Sequence, residues 1–253
     1  MVGKLIKHEL YSIVRVAAIP AAVMVLLAIL SRIMLETSSD TVSIVILVFY
    51  IFSVVATVLI GYFFGIYSFY QSLFTGNGYL TLSLPVTPDQ LIWSKLISAI
   101  TVMFAGIIVS ILSACIFFIG LPTEMLESIR EDLYLVGDII SMFVEISPLL
   151  VVEAIIYLLV SIPMSFLVFY AVMCVGQLFT SKNRKGMAIW LYIGLMFLWN
   201  ILKPITVEPI LEKATEVSFH LTMWLRIIFS AGVDVGCYFL VRYIIKNKVN
   251  LLV

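Results

Sequence analysis

Charge is what this chain has least of. Only 12% of its 253 residues are Asp, Glu, Lys or Arg, against 63% hydrophobic, whereas soluble domains carry about 25% charged residues. So little polar surface would leave long apolar runs uncovered in water, and a mean hydropathy of +1.18 agrees that the bilayer is the expected solvent. The formal net charge is +0, so no basic field points to nucleic acid. Cysteine is scarce as well. Cys115, Cys174 and Cys237 each fall inside an apolar run, and an odd number at scattered spacing gives neither a disulfide framework nor a zinc site. They read as small core residues. Histidine is scarcer still: His8 and His220, near opposite ends of the chain and on predicted opposite sides of the membrane, offer no metal site or triad within one chain. Paired acids and histidines at the spacing of a membrane-embedded hydrolase are absent too. The stretch Gly176-Gln-Leu-Phe-Thr-Ser-Lys182 has the outline of a phosphate loop, but it lacks the second glycine before the lysine and the Ser or Thr after it. The chain therefore has no nucleotide site of its own.

Long apolar runs are what the chain has in plenty. A span needs roughly 20 apolar residues, and six runs meet that rule, at residues 13–35, 42–67, 96–120, 149–174, 187–207 and 221–245. Lys203 and Pro204 interrupt the end of the fifth. Backbone polar groups at bilayer depth must be satisfied within the segment, which makes helices the reading for runs of this length. The expected fold is a single all-α integral membrane domain of six transmembrane helices. The first run is too long for a signal-peptide core, and no A-x-A-like site follows it, so it is expected to stay.

Lys and Arg set the orientation, because they collect on the cytoplasmic side. With both termini inside, that side holds ten, namely Lys4, Lys7, Arg15, Lys95, Lys182, Arg184, Lys185, Arg242, Lys246 and Lys248. The outer loops hold four, Arg32, Arg130, Lys203 and Lys213. Between the third and fourth spans, Leu126, Ile129, Leu133, Val136, Ile140 and Phe143 recur at alternating three and four, while Glu124, Glu131, Asp138 and Glu145 recur every seven on another face. That pattern predicts an amphipathic extracellular helix within 121–147, either a lid over an exit or an interfacial connector.

Within the spans, Ser53, Thr57, Gly61 and Gly65 form a small-residue ridge of the kind that lets helices approach closely in lipid. Gly106, Ser110 and Ala114, and Gly232 and Gly236, do the same. Such ridges serve packing within one subunit, a dimer seam or a pathway wall. Ionisable residues inside spans are costly and mark function by default; here they are Glu153, Arg226 and Asp234. Glu153 and Arg226 lie at similar depth from the outer ends of their spans and are expected to pair. Asp234 has no evident basic partner at its depth and points to a polar pathway.

The segment Gly78-Tyr-Leu-Thr-Leu-Ser-Leu-Pro85-Val-Thr-Pro88-Asp-Gln-Leu-Ile-Trp93-Ser-Lys95-Leu is rich in Leu, Tyr and Trp for a loop. A Tyr-Leu-x-Leu-x-Leu-Pro-Val run leading to Ser-Lys-Leu resembles the first cytoplasmic loop of ABC-2-type ABC transporter permeases. Residues 1–12, with Lys7-His8-Glu9-Leu10, resemble the interfacial elbow helix of the same family, and read on their own they are equally a basic flank that orients the first span. Pro88-Asp89 stands where many relatives carry basic residues. The resemblance implies a type V exporter-like transmembrane domain in a bacterial plasma membrane, paired with a second permease chain, identical or related. It also implies two separate ABC ATP-binding subunits that carry ATP and Mg, so that this chain holds no cofactor and is not itself an enzyme. Tyr79, Leu80, Leu82, Leu84 and Pro85 are then the ATPase-coupling residues, with Lys182 and Arg184 in the second cytoplasmic contact. The sparse charge in the spans favours an amphipathic or hydrophobic cargo such as a peptide, lipid or drug. The alternative from another class is an immunity or sensory protein that binds an antimicrobial peptide at its acidic outer face without transporting it.

The charge asymmetry has a direct test. Single cysteines at Asp89 and Lys182 in a Cys-free background are expected to react with an impermeant maleimide only from the cytoplasmic side, and one at Asp132 only from outside; outside reactivity at position 89 or 182 refutes the orientation.

Overall fold

The computed structural model describes residues 2–37, 40–74, 86–119, 127, 130, 134, 137–138, 141, 147–179, 190–200 and 207–247. Among these residues every regular element is a helix. In chain order they are α1 (Val2–Thr37), α2 (Asp40–Phe74), α3 (Pro88–Phe118) and α4 (Pro148–Phe179), then α5 (Trp190–Asn200), α6 (Glu208–Val217) and α7 (Phe219–Asn247). Five of them, α1, α2, α3, α4 and α7, are long and apolar enough to cross a membrane. Of the expected span at 187–207, the described residues 190–200 form the apolar helix α5, shorter than those five, and residues 187–189 and 201–206 lie outside the described residues.

The helices run past the apolar stretches that reveal them. α1 has 36 residues, α2 35 and α3 31, which at 1.5 Å per residue makes them about 46–54 Å long against a hydrocarbon core of about 30 Å. The expected interfacial elbow at residues 1–12 is accordingly not a separate helix. It is the first three turns of α1, which is unbroken from Val2 to Thr37. α3 likewise begins at Pro88 rather than at Leu96. Its start is a reciprocal capping box: the Gln90 N–H donates to Thr87 Oγ1 and the Thr87 N–H donates to Gln90 Oε1, both at 3.3 Å. Pro88 takes the first helical position, where its missing N–H leaves no bond unmade.

The chain forms two compact units, residues 1–68 with 93–139, and residues 69–92 with 140–253. In the first, Met24, Ala28, Tyr50 and Phe117 make a buried cluster from α1, α2 and α3, with Leu27, Leu47, Val54 and Val109 against it. Tyr50 stacks on Phe117 at 5.6 Å between centroids and bonds through its hydroxyl to Ser113 Oγ at 3.2 Å. Arg32 Nε donates to the Ile119 carbonyl at 2.8 Å and satisfies an end that α3 cannot close by itself. In the second unit α7 packs along α4 and α6 packs on α7. Phe69 of α2 stacks on Tyr170 of α4 with centroids 3.9 Å apart, both fully buried. Of the three cysteines only Cys174 joins a core; Cys237 is half-buried and Cys115 lies on the outer surface of its helix. Pro20 and Pro163 sit inside α1 and α4 without ending either helix. In the 121–147 segment, the described residues Glu127, Arg130, Tyr134, Gly137, Asp138 and Ser141 are helical and exposed, and the apolar positions of that segment lie outside the described residues.

One ion pair in the first unit is nearly closed to solvent. Lys95 Nζ of α3 contacts Glu9 Oε2 of α1, with side-chain exposures of 2% and 14%, and Ser68 Oγ of α2 donates to the same oxygen at 3.2 Å. Breaking a buried pair on one side strands the other charge and costs about 3–5 kcal/mol, whereas neutralising both partners is far milder. Lys95→Met is therefore expected to lower the unfolding temperature of the detergent-purified protein sharply, and Glu9→Gln combined with Lys95→Met is expected to recover most of the loss. A double variant as unstable as the single one overturns this account.

Candidate functional site

Two clusters of polar side chains stand near the ends of the second unit's helices. At the start of α3, Asp89 accepts from two residues one turn apart on α7. Tyr238 Oη donates to Asp89 Oδ1, and Arg242 Nε lies 3.0 Å from the same oxygen. Asp89 thereby clamps the first turn of α3 to the last turns of α7. Asp234 lies one turn before Tyr238 on the same face of α7. Its Oδ1 is enclosed without a hydrogen-bond partner. Gln177, toward the end of α4, is buried with both amide atoms unpartnered.

The other end of the unit holds a second cluster. Glu153, in the second turn of α4, is 1% exposed, and its Oε2 sits 2.9 Å from His220 Nδ1 in the first turn of α7. The far nitrogen of the same ring, Nε2, is 3.3 Å from Ser147 Oγ, the residue just before α4. Beside them Thr215 of α6 and Thr222 of α7 share a hydroxyl contact at 3.0 Å across the turn at Ser218. The expected Glu153–Arg226 pair does not form. Six residues after His220 the helix has turned by about 120° the other way, so Arg226 comes out on an exposed face of α7 while His220 meets the carboxylate. The array around His220 also revises the exclusion of a triad, since a triad needs only one imidazole and takes its other members from any part of the chain.

Ser53 and Thr57 belong to the first unit and are occupied in packing. Ser53 Oγ donates to the Tyr50 carbonyl at 2.7 Å, and Thr57 Oγ1 lies 2.8 Å from the Ser53 carbonyl and 3.4 Å from that of Pro20 in α1. One turn on, a Cβ at Gly61 would rest at ordinary contact distance against Val102 of α3. That ridge is a seam between neighbouring helices of the unit. Gly106, Gly232 and Gly236 by contrast have nothing within 4 Å of where a Cβ would stand. Among the described residues no three His, Cys, Asp or Glu side chains gather closely enough to hold a metal ion. Tyr79, Leu80, Leu82, Leu84 and Pro85, and Lys182 and Arg184, lie outside the described residues.

Five long apolar helices among the described residues define a multi-pass helical membrane protein. Comparison with protein-family models, with curated proteins and with solved structures finds no match.

The two donors on Asp89 differ in worth. A hydrogen bond to a charged group is worth about 1.5–3 kcal/mol, while a solvent-exposed ion pair yields about 0.2–1 kcal/mol, and Arg242 is 43% exposed. In double-mutant cycles on unfolding free energy, Asp89→Ala with Tyr238→Phe is expected to give the larger coupling and Asp89→Ala with Arg242→Ala the smaller. The reverse order refutes the ranking.

Proposed function

We propose that this chain is the transmembrane permease subunit of an ATP-binding-cassette exporter, embedded with both termini in the cytoplasm. A second permease chain completes the pathway, and two separate ATPase subunits supply the driving force. The observation that carries this reading is the apolar segment Gly78 to Leu96, placed between two spans. A water-facing loop has little reason to present Leu80, Leu82 and Leu84 unless another surface covers them. The start of α3 suits a mechanical link. Thr87 and Gln90 cap that helix, and Asp89 is tied to Tyr238 and Arg242 of α7, so a push delivered through residues 78–86 reaches two helices at once. Asp234, one turn further along α7, is then the polar group best placed to respond to that push within the apolar layer. Gly232 and Gly236, which face open space, offer the second chain a close approach of backbones. The scarcity of charge at mid-depth suits an amphipathic or hydrophobic cargo.

The decisive experiment is purification of the tagged chain in mild detergent from its own host. An ATPase carrying a Gly-x-x-x-x-Gly-Lys-Ser/Thr loop is expected to accompany it at about two copies per permease pair. Leu82→Asp with Leu84→Asp is expected to release that ATPase and abolish ATP-dependent export while membrane insertion stays normal. Retained ATPase binding and normal export in the double variant would refute the coupling role of the segment.

A further inference from the structure

Ser147, His220 and Glu153 stand in the order of a nucleophilic relay, and we propose that they form a hydrolytic site in which Ser147 attacks the acyl esters of amphiphiles at the membrane surface. The proposal is independent of the transport reading, and either can fail without the other.

In the neutral imidazole each hydrogen bond of the array has one direction. The Glu153 carboxylate is an acceptor, so His220 Nδ1 carries the proton across the 2.9 Å contact. That fixes the tautomer. Nε2 then presents a lone pair, and the group 3.3 Å from it is the Ser147 hydroxyl, which donates. Glu153 is 1% exposed while His220 is 35% exposed, so the carboxylate is sheltered behind the ring and the ring edge is open to a reactant. This is the arrangement in which a buried acid positions an imidazole and the imidazole activates a hydroxyl.

The location of Ser147 adds the electrophilic half. It immediately precedes Pro148, the first residue of the 32-residue helix α4. The first turn of a helix has N–H groups without intrahelical acceptors. Pro148 has none to give and the Leu150 N–H is taken by the Ser147 carbonyl at 3.0 Å, which leaves the remaining first-turn N–H groups and the positive end of α4 beside the nucleophile. Donors of this kind stabilise the oxyanion that forms when a hydroxyl adds to a carbonyl. The flanks indicate the substrate class. Leu149 and Val152 of α4 and Phe219 of α7 are all exposed and apolar, at the outer ends of two helices that are apolar for most of their length. A substrate that lies along them has a hydrocarbon chain and brings its ester to the polar end.

The chemistry closes without a cofactor. The Ser147 Oγ–H bond breaks as Oγ adds to the ester carbonyl carbon, and the proton passes to His220 Nε2. The tetrahedral adduct collapses with loss of the alcohol oxygen, which takes that proton. Water then repeats the addition on the acyl-serine, giving up a proton to Nε2, and the second collapse releases the carboxylic acid and returns the proton to Oγ. The sum is ester plus water to acid plus alcohol.

The test uses the full chain purified in detergent and treated with an alkyl fluorophosphonate, with the adduct mapped by peptide mass spectrometry. One adduct is expected, on Ser147, with hydrolysis of p-nitrophenyl esters that rises with acyl length. His220→Ala is expected to abolish both. Glu153→Gln, which keeps the shape of the positioning residue, is expected to slow labelling by tenfold or more at an unchanged unfolding temperature. Absence of an adduct on Ser147 in the folded wild-type protein overturns the proposal, and because that measurement needs no variant, misfolding of a mutant does not weaken it. Labelling of Ser147 at the same rate in a folded His220→Ala protein also overturns it and leaves the three residues as a latch between α4 and α7.

Discussion

Every peptide group that enters the hydrocarbon must find its hydrogen bond inside the chain, and the rest of this structure depends on that requirement. Helices satisfy it locally, one bond per residue, so the apolar runs become helices whatever their side chains prefer. The requirement ends where water begins, but the helices do not. α1, α2 and α3 continue past the apolar layer because their extensions find other support: the Glu9, Ser68 and Lys95 cluster, the capping box at Thr87 and Gln90, and the donors on Asp89.

That division explains what could be read from the sequence. The all-helical class and the positions of five spans were legible, because hydropathy over about 20 residues is a local quantity. The helix ends were less so. Residues 88–95 contain Asp89 and Lys95, and a hydropathy rule stops before them, although Thr87-x-x-Gln90 is a capping signal that marks the true start of α3. The cluster around His220 had no local signal. Ser147 and His220 are 73 residues apart and Glu153 and His220 67. Only the packing of α7 along α4 brings them together. Glu153 was legible as a costly residue in need of a partner, but its partner was not, because equal depth in the sequence says nothing about which way a helix face points.

The small-residue ridges divide on the same principle. Spacing by four identified Ser53, Thr57 and Gly61 as a surface of close approach, and the structure covers that surface with α1 and α3. Identical spacing at Gly232 and Gly236 leaves a surface with nothing against it. Periodicity finds a smooth face, and it does not say whether the neighbour belongs to the same chain.

Asp89 holds Tyr238 and Arg242 through one oxygen, and those two donors sit four residues apart on α7. One helical turn advances about 5.4 Å, close to the step by which packed helices ratchet past one another. If α7 slid by that amount, one of the two donors would come level with the place the other had left. The carboxylate would exchange partners instead of losing both, and the clamp would act as a detent whose stops lie one helical turn apart.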